Sequence, residues 1–173
     1  MKLIEPTMEY DREIQAFRNE FLHPGMSMDG GGSLIRYENT ADWLTRVEAF
    51  KRQETVPEGR VPTMQFIYLR EEDRKIVVVI QIRHHLNEAH LKWFGHIGYS
   101  VAPSERRKGY ATQMLGLVLP ECRRLGIPKV LITCIRGNEG SKRTILKNGG
   151  VYESTVYQQE LERYLERYWI NLS

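Results

Sequence analysis

The sequence predicts an α/β fold, and three observations carry that prediction. From Gly109 onward the apolar residues Ala111, Met114, Leu115, Val118, Leu119, Cys122 and Leu125 recur at the spacing of an amphipathic helix. Ahead of it, His96 to Val101 reads as a strand that Pro103 stops. Behind it, Lys129 to Cys134 is a near-continuous apolar run, as expected of a strand covered on both faces. A strand, a long helix and a buried strand in that order form a βαβ unit or a close relative of one.

The other elements follow from the same periods. Asp11 to Phe21 places Ile14, Phe17, Phe21 and Leu22 at helical spacing. A second helical pattern runs from Thr40 through Trp43, Leu44, Val47 and Phe50, with Thr40 as its expected N-cap and Asp42 in its first turn. Between them, His23 to Ser33 holds three consecutive glycines, Gly30 to Gly32, and predicts a mobile loop over a binding site. Gln65 to Leu69 and Ile76 to Ile82 flank the polar turn Arg70 to Lys75 and predict a hairpin. His84 to Phe94 has no period. Within the long helix Pro120 is expected to impose a kink, because its ring presses on the carbonyl of Gly116, and Gly126 and Pro128 end it. Asn138 to Lys147 reads as a short helix closed by Asn148-Gly149-Gly150, and Val151 to Tyr157 follows. The last segment fits two periods. Tyr157, Leu161, Tyr164, Leu165 and Tyr168 keep helical spacing, whereas Tyr164, Glu166, Tyr168, Ile170 and Leu172 alternate, and period alone favours the helix.

A chain of 173 residues, 41% of them hydrophobic, is expected to form one domain over 1–173 with a core between layers of secondary structure. The N-terminus reaches Glu5 and Pro6 before any long apolar run, so a soluble cytoplasmic protein with no membrane segment is expected. Cys122 and Cys134 are the two cysteines, without a CxxC spacing or a histidine cluster, and read as core residues rather than as a disulfide or metal site. The net charge of +3 is too small by itself to argue for nucleic acid, though it suits an anionic ligand.

The position of the positive charge is more telling. In Val101-Ala102-Pro103-Ser104-Glu105-Arg106-Arg107-Lys108-Gly109-Tyr110-Ala111 a strand ends, a loop turns and a helix begins. The first N–H groups of a helix have no acceptor within it and carry the positive end of its dipole. Gly109 and Ala111 let an anion approach the main chain, and Arg106, Arg107 and Lys108 add three cations. A ligand bearing a diphosphate fits that arrangement. A P-loop string and a dinucleotide GxGxxG string are both missing.

Arg106-Arg107-Lys108-Gly109-Tyr110-Ala111 resembles the signature of the GNAT acyl-CoA N-acyltransferases: Gln or Arg, two residues, Gly, one residue, then Gly or Ala. Asn138, Ser141 and Gly149 stand where that family carries an Asn, a small residue and a Gly on the following short helix. The resemblance covers about Gly95 to Gly150. It implies a mixed, mostly antiparallel sheet with a splayed pair of parallel strands and helices on both faces. It also implies that acetyl-CoA is the co-substrate. Main-chain groups around Val101 would pair with the pantetheine arm, amides from Arg106 to Ala111 would hold the diphosphate, and Asn138 and Ser141 would hold the pantetheine. The C-terminal segment would then be a hairpin strand, and we follow that implication over the helical period. The fold is compatible with a homodimer.

The chemistry that follows is acetyl transfer to a primary amine by direct attack. A non-catalytic acyl-CoA sensor is the alternative. The attacking amine must lose a proton, and His96 is the first candidate for the base because imidazole titrates near neutrality, with His84 and His85 as alternatives. Many relatives place a tyrosine four residues after the Ser141 position to protonate the leaving thiolate. Here that position is Ile145, which leaves Tyr110, Tyr152 or water as the acid, and Gly150 replaces the family's usual phenylalanine. Small amines, aminoglycoside-like polyamines and peptide amines all fit as acceptors.

Overall fold

The computed structural model describes residues 1–173. Four helices and seven strands make up the chain: β1 (Lys2–Ile4), α1 (Asp11–Asn19), α2 (Thr40–Ala49), β2 (Thr63–Arg70), β3 (Lys75–Arg83), β4 (Ile97–Val101), α3 (Tyr110–Arg124), β5 (Lys129–Ile135), α4 (Glu139–Lys147), β6 (Val151–Gln158) and β7 (Arg163–Asn171). They form two antiparallel sheets, one ordered β1-β2-β3-β4 and the other β5-β7-β6.

β2 and β3 carry apolar residues on both faces because helices cover both. One face, through Ile67, Ile76 and Val79, packs on Ile14, Phe17, Phe21, Trp43 and Val47 of the α1–α2 layer. The other, through Val78, Ile80 and Ile82, packs on Met114, Leu115, Val118 and Cys122 of α3. The amphipathic stripe of α3 is thus the element that joins the sheets, since Val130, Ile132, Tyr168 and Ile170 of the second sheet share its core. α3 runs on through Pro120, which sits on its exposed side, and Gly126 ends it in the left-handed conformation. No helix is long and apolar enough to cross a membrane.

Several expectations are corrected. The N-cap of α2 is Asn39 rather than Thr40: the Asn39 side chain accepts from the Asp42 N–H at 2.9 Å, while Thr40 is buried and its hydroxyl takes a bond from Gln15. The C-terminal segment is the hairpin β6–β7 that the resemblance implied, not the helix that period alone favoured. β7 is the central strand of its sheet, so Leu165, Glu166, Arg167 and Tyr168 are all buried, which blurs the alternation. The glycine loop is pinned to the sheet. Gln65 donates to Gly30 O at 2.8 Å, Gly32 N–H donates to Gln81 at 3.1 Å, and the Trp43 indole donates to Gly31 O at 3.0 Å. Gly30 lies so close to Gly98 that a Cβ on it would stand 1.9 Å from the Gly98 oxygen.

The resemblance implied a splayed pair of parallel strands, and no parallel ladder joins β4 to β5. β4 and β5 are edge strands of separate sheets, joined by an isolated antiparallel bridge at Gly95 and Ile132. His96 explains where pairing stops. Its N–H donates to Leu131 O at 2.7 Å, and Leu131 N–H donates at 3.0 Å to Nδ1 of the His96 ring rather than to a backbone carbonyl. An imidazole therefore fills a ladder position and the two strands part beyond it.

Candidate functional site

The N-terminus of α3 lies just beyond the end of β4. Gly109 stands at the N-cap position with φ of +84° and has no side-chain cap to offer, so the first N–H groups of α3 lack a side-chain acceptor. Arg107 is also left-handed, at φ of +64°, so the chain turns sharply between β4 and α3. Arg106, Arg107, Lys108 and Gly109 are exposed, and a Cβ built on Gly109 would meet nothing within 4 Å. The loop is therefore open, positively charged and uncapped, as a diphosphate requires.

Glu105 anchors this loop from below. It is 4% exposed, and its carboxylate binds Arg70 at 2.9 Å, Lys108 at 2.9 Å and Lys75 at 3.3 Å. Hydrogen bonds from Arg70 and then Lys108 hold its carboxyl down at about 2, well below the usual carboxylate range. Lys108 is thus tied back to Glu105, and Arg106 and Arg107 form no ion pair within the chain. The Tyr110 hydroxyl is likewise engaged, accepting from Arg70 at 2.9 Å.

The gap between β4 and β5 runs from His96 toward this loop. Arg83 N–H donates to His96 O, and Ala102 N–H donates to Val77 O. In an antiparallel ladder this assigns the β3-directed bonds of β4 to its even-numbered residues. The main-chain groups of Ile97, Tyr99 and Val101 consequently face the unpaired edge, toward β5. Across the gap Asn138 caps α4, its Oδ1 accepting from Ser141 N–H at 3.1 Å. Ser141 Oγ in turn shares a hydrogen bond with the Tyr99 hydroxyl at 2.8 Å, so a β4 side chain bridges to α4.

Tyr99 is the residue that sequence reasoning missed. Burial pushes its phenol up to about 12, which keeps it protonated at neutral pH. The available signal was its position two residues before Val101 on the same face of the strand. Ile145, where the resemblance led us to look for a tyrosine, is fully buried in the core. Tyr152 is exposed and bonded to Thr155. Cys134 is buried, and desolvation raises its thiol to about 11, so it carries no thiolate at neutral pH.

The three candidate bases differ in setting. His96 is 8% exposed; burial, with Arg83 as the second cause, lowers its pKa to about 4. Its Nδ1 lone pair is committed to Leu131 N–H, so the proton sits on Nε2 and the ring has no free basic nitrogen. His84 is half-buried, its Nε2 is enclosed without a partner, and burial lowers its pKa. His85 is exposed.

The family model of the acetyltransferase (GNAT) domain matches residues 10–151. The chain belongs to the GNAT acetyltransferase family. The match stops at the start of β6, and solved structures extend the likeness through the hairpin. The microcin C7 self-immunity acetyltransferase MccE, in complex with acetyl-CoA and AMP, aligns over 98% of this chain and 91% of its own, at 19% identity and a TM-score of 0.69. RimJ of Mycobacterium smegmatis, in complex with CoA-disulfide, aligns over 98% and 81%, at 20% identity and a TM-score of 0.65. The ribosomal-protein-S5-alanine acetyltransferase of Vibrio fischeri is matched over 63% of this chain and 61% of its own, at 15% identity and a TM-score of 0.54. At these identities the likeness to GNAT structures is one of fold. No curated protein matches the chain.

Proposed function

We propose that this GNAT protein transfers the acetyl group of acetyl-CoA to a primary amine by direct attack, without a covalent enzyme intermediate. The observation that carries the reading is the open, uncapped start of α3 at Gly109, placed at the end of an unpaired β4 edge. When bound, acetyl-CoA supplies a thioester whose carbonyl an amine can attack. Amides from Arg106 to Ala111 hold its diphosphate, with Arg106 and Arg107 adding charge. The outward main-chain groups of Tyr99 and Val101 pair with the amides of the pantetheine arm, and Asn138 and Ser141 line the opposite wall. The reaction belongs to the cytoplasm.

Bond making and breaking are simple to balance. The C–N bond forms as the C–S bond breaks, the amine loses a proton and the sulfur gains one. Tyr99 is the proton donor in this account: its hydroxyl is protonated at neutral pH, and Ser141 fixes its direction. His96 acts by holding the strands apart, and the amine proton leaves to water, since the ring nitrogen that could take it is already bonded.

Purified protein should release CoA thiol from acetyl-CoA only when an amine is supplied. Silence across small-amine, polyamine and peptide panels, with acetyl-CoA still binding, would favour a non-catalytic acyl-CoA sensor. Burial of Ile145 in the acid position is the observation that keeps this second reading in view.

A further inference from the structure

Arg83 closes β3 at the end of the gap opposite the α3 loop. It stands across from His96, whereas Val78 pairs with Val101, so five residues of strand, about 16 Å, separate the two ends. Its Nη1 donates to Gly95 O at 3.0 Å and to Phe94 O at 3.4 Å. No carboxylate lies within 4.0 Å of it. Its Nε and Nη2 find no acceptor in the chain, yet neither is sealed, because the enclosed unpartnered side-chain nitrogens are Arg18 Nε and His84 Nε2. The guanidinium lies alongside Gly98, where a Cβ would come 3.9 Å from Nη2, next to the contact between Gly98 and the Gly30 loop.

A partly buried guanidinium with no counter-charge is costly. Desolvation, and with it the charge of Arg60, acts against the charged form; Asp29 on the glycine loop favours it but forms no ion pair. Bracing the Phe94–Gly95 turn uses Nη1 and the guanidinium face, whose Cζ lies 5.9 Å from the Phe94 ring centroid, and leaves the other nitrogens unused. The unused Nε–Nη2 edge is the planar fork that grips a carboxylate or a phosphate through two parallel bonds.

We propose that Arg83 receives an anionic group of the acceptor, so that the substrates are amines that also carry a carboxylate or a phosphate. The proposal rests on the acetyl-transfer reading and names its substrate class. The anion would be held at the Arg83 end of the gap while the α3 loop holds the diphosphate at the other.

Paired amines test it. β-Alanine against β-alaninamide reports on a carboxylate, and 2-aminoethyl phosphate against ethanolamine reports on a phosphate. In the wild-type protein the anionic member of one pair should have kcat/KM about 10- to 100-fold above its neutral partner, the size of a charge-assisted pair of hydrogen bonds, and that pair identifies the anion. Arg83→Gln should bring the ratio toward one, and Arg83→Lys, which keeps the charge but not the fork, should retain a small part of it. Ratios are read within each variant, with acetyl-CoA affinity measured alongside. Should Arg83→Gln not fold, the wild-type and Arg83→Lys ratios still decide. Neutral amines turned over as well as anionic ones, or a preference that survives in Arg83→Gln, would overturn the assignment and leave acetyl transfer standing. No turnover of any amine would sink both.

Discussion

At Glu105 one buried carboxylate holds three cations, and its removal leaves Lys108 unpaired while Arg70 keeps Asp73 and Lys75 keeps Glu20. Glu105→Gln should cost about 2 kcal/mol in urea unfolding, the size of lost charge-assisted hydrogen bonds whose cationic partners stay partly in water. At Gly109 the effect should be local. A Cβ there meets open space, but φ of +84° penalises any other residue by about 1–2 kcal/mol. Gly109→Ala should therefore lower the unfolding temperature by about 2–8 °C and weaken acetyl-CoA about tenfold by calorimetry. Tyr99→Phe removes only the hydroxyl that meets Ser141. It should lower kcat by about 10- to 100-fold with little change in acetyl-CoA affinity, and an unaltered kcat would remove Tyr99 from the mechanism. Gly109, Arg106 and Asn138 were legible as a spacing of residue types. Tyr99 was legible only by its place two residues before Val101, because its meeting with Ser141 depends on how α4 sits against β4.

Elements marked by a clean stripe, a continuous apolar run or a polar turn were read well from period, and β7 was not. α3 has a clean stripe because one face meets both sheets and the other meets water, and the β2–β3 hairpin is marked by its polar turn. β7 lies between β5 and β6 with both faces buried, so its sequence satisfied a helical and an alternating period together. The glycine loop illustrates a different failure. Three glycines suggested motion, but Gly30 is small because it presses on Gly98, and the loop is held by Gln65, Gln81 and Trp43. Gly30→Ala would put a Cβ into the Gly98 carbonyl and should destabilise the protein by about 3 kcal/mol or more, lowering Tm by roughly 6–12 °C. A variant with wild-type Tm would mean that the loop is not pinned.

Across the whole molecule the two sheets part at a histidine, and this ties the architecture to pH. His96 and His90 are each lowered to about 4, mainly by burial. The unfolded chain binds protons at these sites near 6.5 while the folded chain does not, so their contribution is complete above about 6.5 and is lost as pH falls through 4. Glu105 extends the loss from its ordinary 4.5 down to about 2. Urea midpoints should fall between pH 6.5 and 4, and His96→Gln should flatten that slope. The α/β class and the order of strand, helix and strand were readable from the sequence, and the family resemblance implied that β4 and β5 splay; the contact at which they part was not readable, since a side chain there takes the place of a backbone carbonyl. A crystal structure with acetyl-CoA tests the central claim most directly. The account predicts diphosphate oxygens within hydrogen-bond distance of main-chain amides between Arg106 and Ala111, and a diphosphate bound anywhere else, with those amides left to solvent, would contradict it.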